Sequence, residues 1–208
     1  MSKAPHVRFL DRTTPPHIAT LILMAGVGAL SLNVFLPSLP SMAVHFGVDY
    51  SLMQLSVSLY LATTAVVQIL IGPISDRYGR RPIVLVTVSI FVLASIGAVY
   101  APNFTPFLIF RLLQTSIATA FVISRAIVRD MVPQDQAASM IGYVTMGMSV
   151  VPMLGPAVGG LLDQAFGWQA SFGMLAAGGT ILGLMTFFDQ GETFTRREGG
   201  FAAQVAEY

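Results

Sequence analysis

Arg111 and Gln114 stand three residues apart inside one long apolar run, FTPFLIFRLLQTSIATAF. A central arginine in hydrocarbon costs about 2.5–3.5 kcal/mol even on the mildest insertion scale, so its presence needs a reason. Two readings stay open. Arg111 either snorkels or bonds carbonyls of a neighbouring helix, or it is a fixed positive charge that binds an anionic group or biases a proton equilibrium in a cavity. The other polar residues in apolar runs are the amides Asn33, Gln54 and Gln68, which donate and accept hydrogen bonds but do not titrate. The carboxylates Asp49, Asp76, Asp130, Asp163 and Asp189 fall at the ends of those runs or between them. His6, His17 and His45 form no ligand pair, and there is no cysteine. Paired acids, metal clusters and thiol nucleophiles are therefore missing, and the chemistry is binding and orientation rather than bond breaking. The expectation is a protein that is not an enzyme, with no catalytic residue, no metal and no cofactor.

The elements that must position these groups are membrane helices. Of 208 residues 54% are hydrophobic and 10% charged, and mean hydropathy is +0.72. A soluble domain carries roughly 25% charged residues, so this chain cannot cover a water-exposed surface. Six apolar segments are about 20 residues long, enough at 1.5 Å per residue to cross about 30 Å of hydrocarbon. We place them at 18–40, 51–71, 83–100, 106–127, 137–162 and 168–188. Barrel strands would alternate apolar and polar residues instead. The first segment is too long for a signal peptide, lacks a small-residue exit and is followed by five more. The expected fold is all-α, a polytopic six-helix bundle over 18–188 with a tail at 1–17 and a loop beginning at 189–208.

Orientation follows from the basic residues. Lys3, Arg8, Arg12, Arg77, Arg80, Arg81, Arg125, Arg129, Arg196 and Arg197 all fall on one face of that topology, and the opposite loops near His45, Asn103 and Asp163 carry none. Both termini are then expected in the cytoplasm. A net charge of +1 gives no reason to expect a nucleic-acid partner. Wound at 3.6 residues per turn, Gln54, Ser58, Ala65, Gln68 and Gly72 form one stripe; Gly26, Ala29, Asn33 and Pro37 form a second; Arg111, Gln114, Ala118 and Arg125 form a third. These stripes are expected to face a cavity or another helix. Gly155-x-x-x-Gly159 and Gly179-x-x-x-Gly183 have the spacing of close helix contacts.

The segment from Gly72 to Arg81, GPISDRYGRR, supplies Gly72, Asp76, Arg77, Gly79, Arg80 and Arg81 in a pattern that resembles the G-x-x-x-D-x-x-G-R-[KR] loop of the major facilitator superfamily. Here Gly72 and Gly79 are expected to permit close approach and a tight turn, and the charges to bond helix ends together. Gly155-Pro156-Ala157-Val158-Gly159-Gly160 resembles the GPxxGG element of that superfamily's exporters, read as a bent, tightly packed contact active in gating. Arg111 with Gln114, the run Arg125 to Arg129 and Asp130, and Leu36-Pro37-Ser38-Leu39-Pro40 resemble elements of the bicyclomycin and chloramphenicol resistance branch. The sequence departs from that branch at Thr115, where a glycine is usual, and at Asn33, where relatives often carry an acid.

The resemblance runs from about residue 18 to Glu192-Thr193. It implies a twelve-helix transporter of which this chain is the amino-terminal half, in the inner (plasma) membrane. It also implies a small-molecule substrate, exchange for protons, a lipid bilayer, and the missing carboxyl-terminal half or a second copy as partner. A stand-alone six-helix protein with a scaffolding or regulatory role is the alternative. Without native cysteines, one cysteine at Asn103 reports topology cleanly. It should react with an impermeant maleimide only from the face opposite a tag placed near Tyr208, and labelling from the tagged face would reverse the orientation.

Overall fold

The computed structural model describes residues 7–192, leaving out the side chains of Gln134 and Asp135. Lys3, His6, Thr193, Arg196, Arg197 and the loop expected beyond them lie outside the described residues. The described residues are helical, without a strand. α1 (Ile18–Asn33), a 3-10 turn (Leu36–Ser38) and α2 (Leu39–Phe46) form the first span. α3 (Tyr50–Tyr78) and α4 (Arg80–Val99) are the second and third. α5 (Phe104–Leu113), a 3-10 turn (Gln114–Ile117) and α6 (Ala118–Met131) form the fourth; α7 (Gln134–Phe166) and α8 (Gln169–Asp189) are the fifth and sixth. All six are long and apolar enough to cross a membrane.

Most helices outrun the apolar windows that announce them, because polar end residues continue the helix beyond the hydrocarbon. The clearest difference is at Gly72–Tyr78, read from the sequence as part of a loop. These residues complete α3, and Gly79 alone makes the turn, at φ 94°. A methyl on Gly72 would meet nothing within 4 Å, so close approach is not what this glycine provides. Proline explains the break in the first span. The Pro37 ring would clash with the carbonyl four residues back, that of Asn33, and α1 ends there.

Between helices in lipid, small residues and close packing replace the hydrophobic drive. Gly179 and Gly183 of α8 face Phe91, Val92 and Val88 of α4. Gly155, Gly159 and Gly160 of α7 receive the first span: a methyl on Gly155 would lie 3.3 Å from Asn33 Cβ, and one on Gly159 would overlap the Val34 carbonyl oxygen. Pro152 and Pro156 sit inside α7, which stays one helix. At the end opposite the arginine-rich turns, Phe46, Phe107, Trp168 and Phe172 pack with ring centroids 5.1–6.0 Å apart and join α2, α5 and α8.

Gly159→Ala must push α1 and α7 apart. It should lower stability by about 1–3 kcal/mol in a denaturant titration in detergent. Gly142→Ala, where nothing lies within 4 Å, should be neutral or stabilise by up to about 1 kcal/mol.

Candidate functional site

Arg111 sits at the end of α5 with no exposed surface. Its guanidinium lies between two rings, 4.0 Å from the centroid of Phe35 and 3.9 Å from that of Tyr60. It donates to Gln114 Oε1 at 2.7 Å, to the Ser31 carbonyl at 2.9 Å and to Ser31 Oγ at 3.4 Å. Gln114 passes the bonding on, donating to Ser95 Oγ at 2.8 Å, which donates to the Phe91 carbonyl. Tyr60 donates its hydroxyl to Ser31 Oγ at 3.1 Å. No carboxylate joins this network among the described residues. The charge is held by ring faces and neutral acceptors, worth more here than in water because the surroundings are desolvated. Four spans supply the partners, and the arginine presents no surface to the outside of the bundle.

On the other side of Tyr60 lies a cleft of about 140 Å³ between the first, second, fourth and fifth spans. Tyr60, Thr64 and Gln68 line it from α3, Gly28 and Ala29 from α1, Ala118 and Phe121 from α6. Its walls are apolar, with a few polar groups. Thr64 Oγ1 is buried and has no hydrogen-bond partner. Arg125 stacks on Phe121, 4.2 Å from the ring centroid, toward the basic end of the cleft. Tyr60 thus touches both the buried cation and the open space.

At that basic end, Arg80 begins α4 and gathers several elements. It pairs with Asp76 at 2.6 Å, donates to Ser75 Oγ at 2.6 Å, and reaches Asp130 of α6 at 3.3 Å. Glu192, beyond α8, accepts from the Arg80 N–H at 2.9 Å and the Arg81 N–H at 3.3 Å, a carboxylate cap on the positive end of α4. A methyl on Gly79 would lie 2.6 Å from Glu192 Oε2. Both the positive φ and the seated carboxylate therefore require glycine there. Arg81 donates to the Phe187 carbonyl at 3.0 Å, whereas Arg77 and Arg129 point outward.

The structure separates the five residues proposed from the sequence for one cavity. Gln68 lines the cleft. Arg111 and Gln114 are sealed beside it. Gln54 is exposed, fourteen residues along α3 from Gln68. Asn33 donates to the Ala29 carbonyl at 2.7 Å and packs against Gly155 of α7, whereas Ala29, one turn earlier in the same stripe, lines the cleft. Ser31, Tyr60, Thr64 and Ser95 escaped sequence reading, and Glu192 was read only as the end of the family resemblance. Tyr60 carried a signal, as a tyrosine inside an apolar run whose hydroxyl needs a partner; single serines in apolar helices carry none.

The Major Facilitator Superfamily model matches residues 21–205. The chain is 35% identical over 153 residues to "Multidrug resistance protein D" of Escherichia coli, covering 73% of this chain and 39% of that protein. It is 34% identical to a "Chloramphenicol resistance protein" of Pseudomonas aeruginosa, over 77% of this chain and 39% of the relative. With "Multidrug resistance protein MdtM" of Escherichia coli it shares 31% identity over 95% of this chain and 49% of the relative. The chain thus spans about half, or less, of the length of these relatives. A crystal structure of the peptide transporter POT (E310Q mutant) in complex with alafosfalin superposes with a TM-score of 0.75 at 19% identity, over 93% of this chain and 43% of that one, a likeness of fold. With its six apolar helices and a superfamily match across most of its length, the chain belongs to the Major Facilitator Superfamily.

Proposed function

We propose that the chain is the amino-terminal half of an alternating-access exporter of small, largely apolar drugs or metabolites. It acts as a proton antiporter in the inner (plasma) membrane with both termini cytoplasmic. The observation that carries this reading is the exposed face of α3 beside the cleft. Gln54, Ser58 and Gln68 line up there on a helix of which only 17% of the apolar window is buried. Hydrocarbon does not accept such a stripe, so a second six-helix unit, the carboxyl-terminal half or another copy, covers it. α7, with 11% buried, flanks the other side of the same opening.

An apolar cleft with few polar anchors suits many ligands, in keeping with the drug-resistance names of the relatives. Arg111 acts at one remove: it fixes Tyr60 and so the shape of the cleft wall, and its charge bears on the cleft through that ring. Asp76, Arg80 and Asp130 hold the cytoplasmic ends of three spans together and part when the cytoplasmic mouth opens. Protons are exchanged at acids in the second half or at helix ends, since Asn33 cannot titrate.

The test is chloramphenicol efflux from vesicles with an imposed pH gradient. The chain alone should not export, and a co-expressed complementary half should restore export. Robust efflux by a demonstrably monomeric 208-residue chain sinks this reading. In the restored transporter Thr64→Val and Gln68→Ala should change KM by about fivefold or less, each touching one anchor. Arg111→Lys, which loses the two-ring stack and one of its bonds, should lower kcat at least about tenfold at normal membrane abundance. Equal loss of activity and abundance in Arg111→Lys would leave only a folding role for the cage.

A further inference from the structure

Asp189, the last residue of α8, is fully buried. Its Oδ1 accepts from the Leu10 N–H at 2.7 Å; its Oδ2 accepts from the His17 N–H at 2.8 Å and the Thr20 hydroxyl at 2.6 Å. Burying a carboxylate away from water is costly unless several donors satisfy it, and here all three come from the segment before α1 and its first turn. The positive end of α1 adds to the attraction, as the end of α4 does for Glu192 three residues later. Asp189 and Glu192 therefore cap two different helices from one short stretch. Between them, Gly191 leaves no room: a methyl there would lie 2.7 Å from both the Arg12 and the Thr14 carbonyl oxygens. The segment turns locally, with Thr14 N–H bonded to the Asp11 carbonyl and Asp11 accepting from Thr13 Oγ1 at 2.6 Å. Together Arg12, Thr13, Thr14 and Pro15 roof a cavity of about 280 Å³ floored by Asp130, Met131, Gly191 and Glu192.

We propose that Asp189 is a positioning residue that holds residues 7–17 as a strap across the basic end. The strap limits water at the Asp130 and Glu192 side of the Arg80 cluster and fixes the first turns of the first and third spans to the end of the sixth. The proposal deepens the exporter reading by making the strap the cover of the cytoplasmic gate. The strap itself needs no substrate, so the two readings fail separately.

The experiment uses the whole chain in nanodiscs with Met131→Cys as reporter, because Met131 is 9% exposed and lies under the strap. An impermeant maleimide should label it slowly. Asp189→Asn, which replaces one accepting oxygen with an amide donor facing the strap's own donors, should speed labelling at least about tenfold. Gly191→Val, which pushes the strap off without touching the carboxylate, should do the same, and Thr20→Val should have a smaller effect. A second reporter, Ala98→Cys, is fully buried at the opposite end and should stay slow throughout. Fast labelling of Met131→Cys in the parent, or unchanged labelling in folded Asp189→Asn and Gly191→Val, overturns the proposal. Equal acceleration at Ala98→Cys also overturns it, since it reveals general loosening. Should Asp189→Asn not fold, Gly191→Val and Thr20→Val decide. Efflux from vesicles carrying the chain with a co-expressed complementary half, measured in parallel, separates the two readings: no export there while labelling of the parent stays slow counts against the exporter, not the strap.

Discussion

A guanidinium with no exposed surface and, among the described residues, no carboxylate partner is the constraint around which four spans are arranged. Arg111 cannot shed its proton under ordinary conditions, so the bundle must satisfy the charge where it lies. It does so with Ser31 of the first span, Tyr60 of the second, Ser95 of the third through Gln114, and Gln114 of the fourth, leaving Arg111 Nε without a hydrogen bond between the two rings. Removing any one partner strands polar groups in a medium that offers no replacement, which is why these neutral residues are as consequential as the charge itself. The cleft inherits its shape from this network because Tyr60 belongs to both.

The two ends of the bundle are closed by different physics. The far end is packed with Phe46, Phe107, Trp168 and Phe172, whose contacts are short-ranged and only loosely directional. The basic end is held by ion pairs and carboxylate caps, among them a part-exposed Arg80–Asp130 pair at 3.3 Å. Surface ion pairs are worth about 1 kcal/mol or less and exchange readily for water, whereas the buried bonds of Asp189 do not. The basic end therefore combines a durable tie with a weak one.

The number of spans and their order were legible because unbroken apolar runs have one physical meaning in a chain with so few charges. So was the importance of Arg111, since a lone cation in such a run is expensive wherever it ends up. The partners were not legible. Ser31 and Ser95 look like any small residue in a packed helix, and only the fold brings them to Arg111 and Gln114. Asn33 was drawn toward a cavity by a stripe of which Ala29 does line the cleft, but Asn33 itself packs one turn further on against α7, where Gly155 admits it. Glu192 was noticed as the end of a family resemblance; its role as the cap on α4 depends on α8 returning to the start of α4, which no local pattern encodes. Gly72 and Gly79 look equivalent in the motif, yet only Gly79 has a positive φ and a neighbour against its missing side chain.

The 3-10 turn at Gln114–Ile117 has a consequence for how the fourth span is aimed. A 3-10 turn winds about 120° per residue and an α-helix about 100°, so four residues accumulate a phase error of about 80°. They also stretch the axis by about 2 Å, at about 2.0 Å rather than 1.5 Å per residue. Residues before and after the turn consequently obey different helical wheels. This is why Arg111 and Gln114 look into the cage while Ala118 looks into the cleft, although a uniform wheel stacks them on one line. The fourth span is in effect a cranked shaft, and a change of winding at 115–117, beyond Gln114, would rotate the lower half of the span, Arg125 included, while Arg111 and Gln114 keep their bonds.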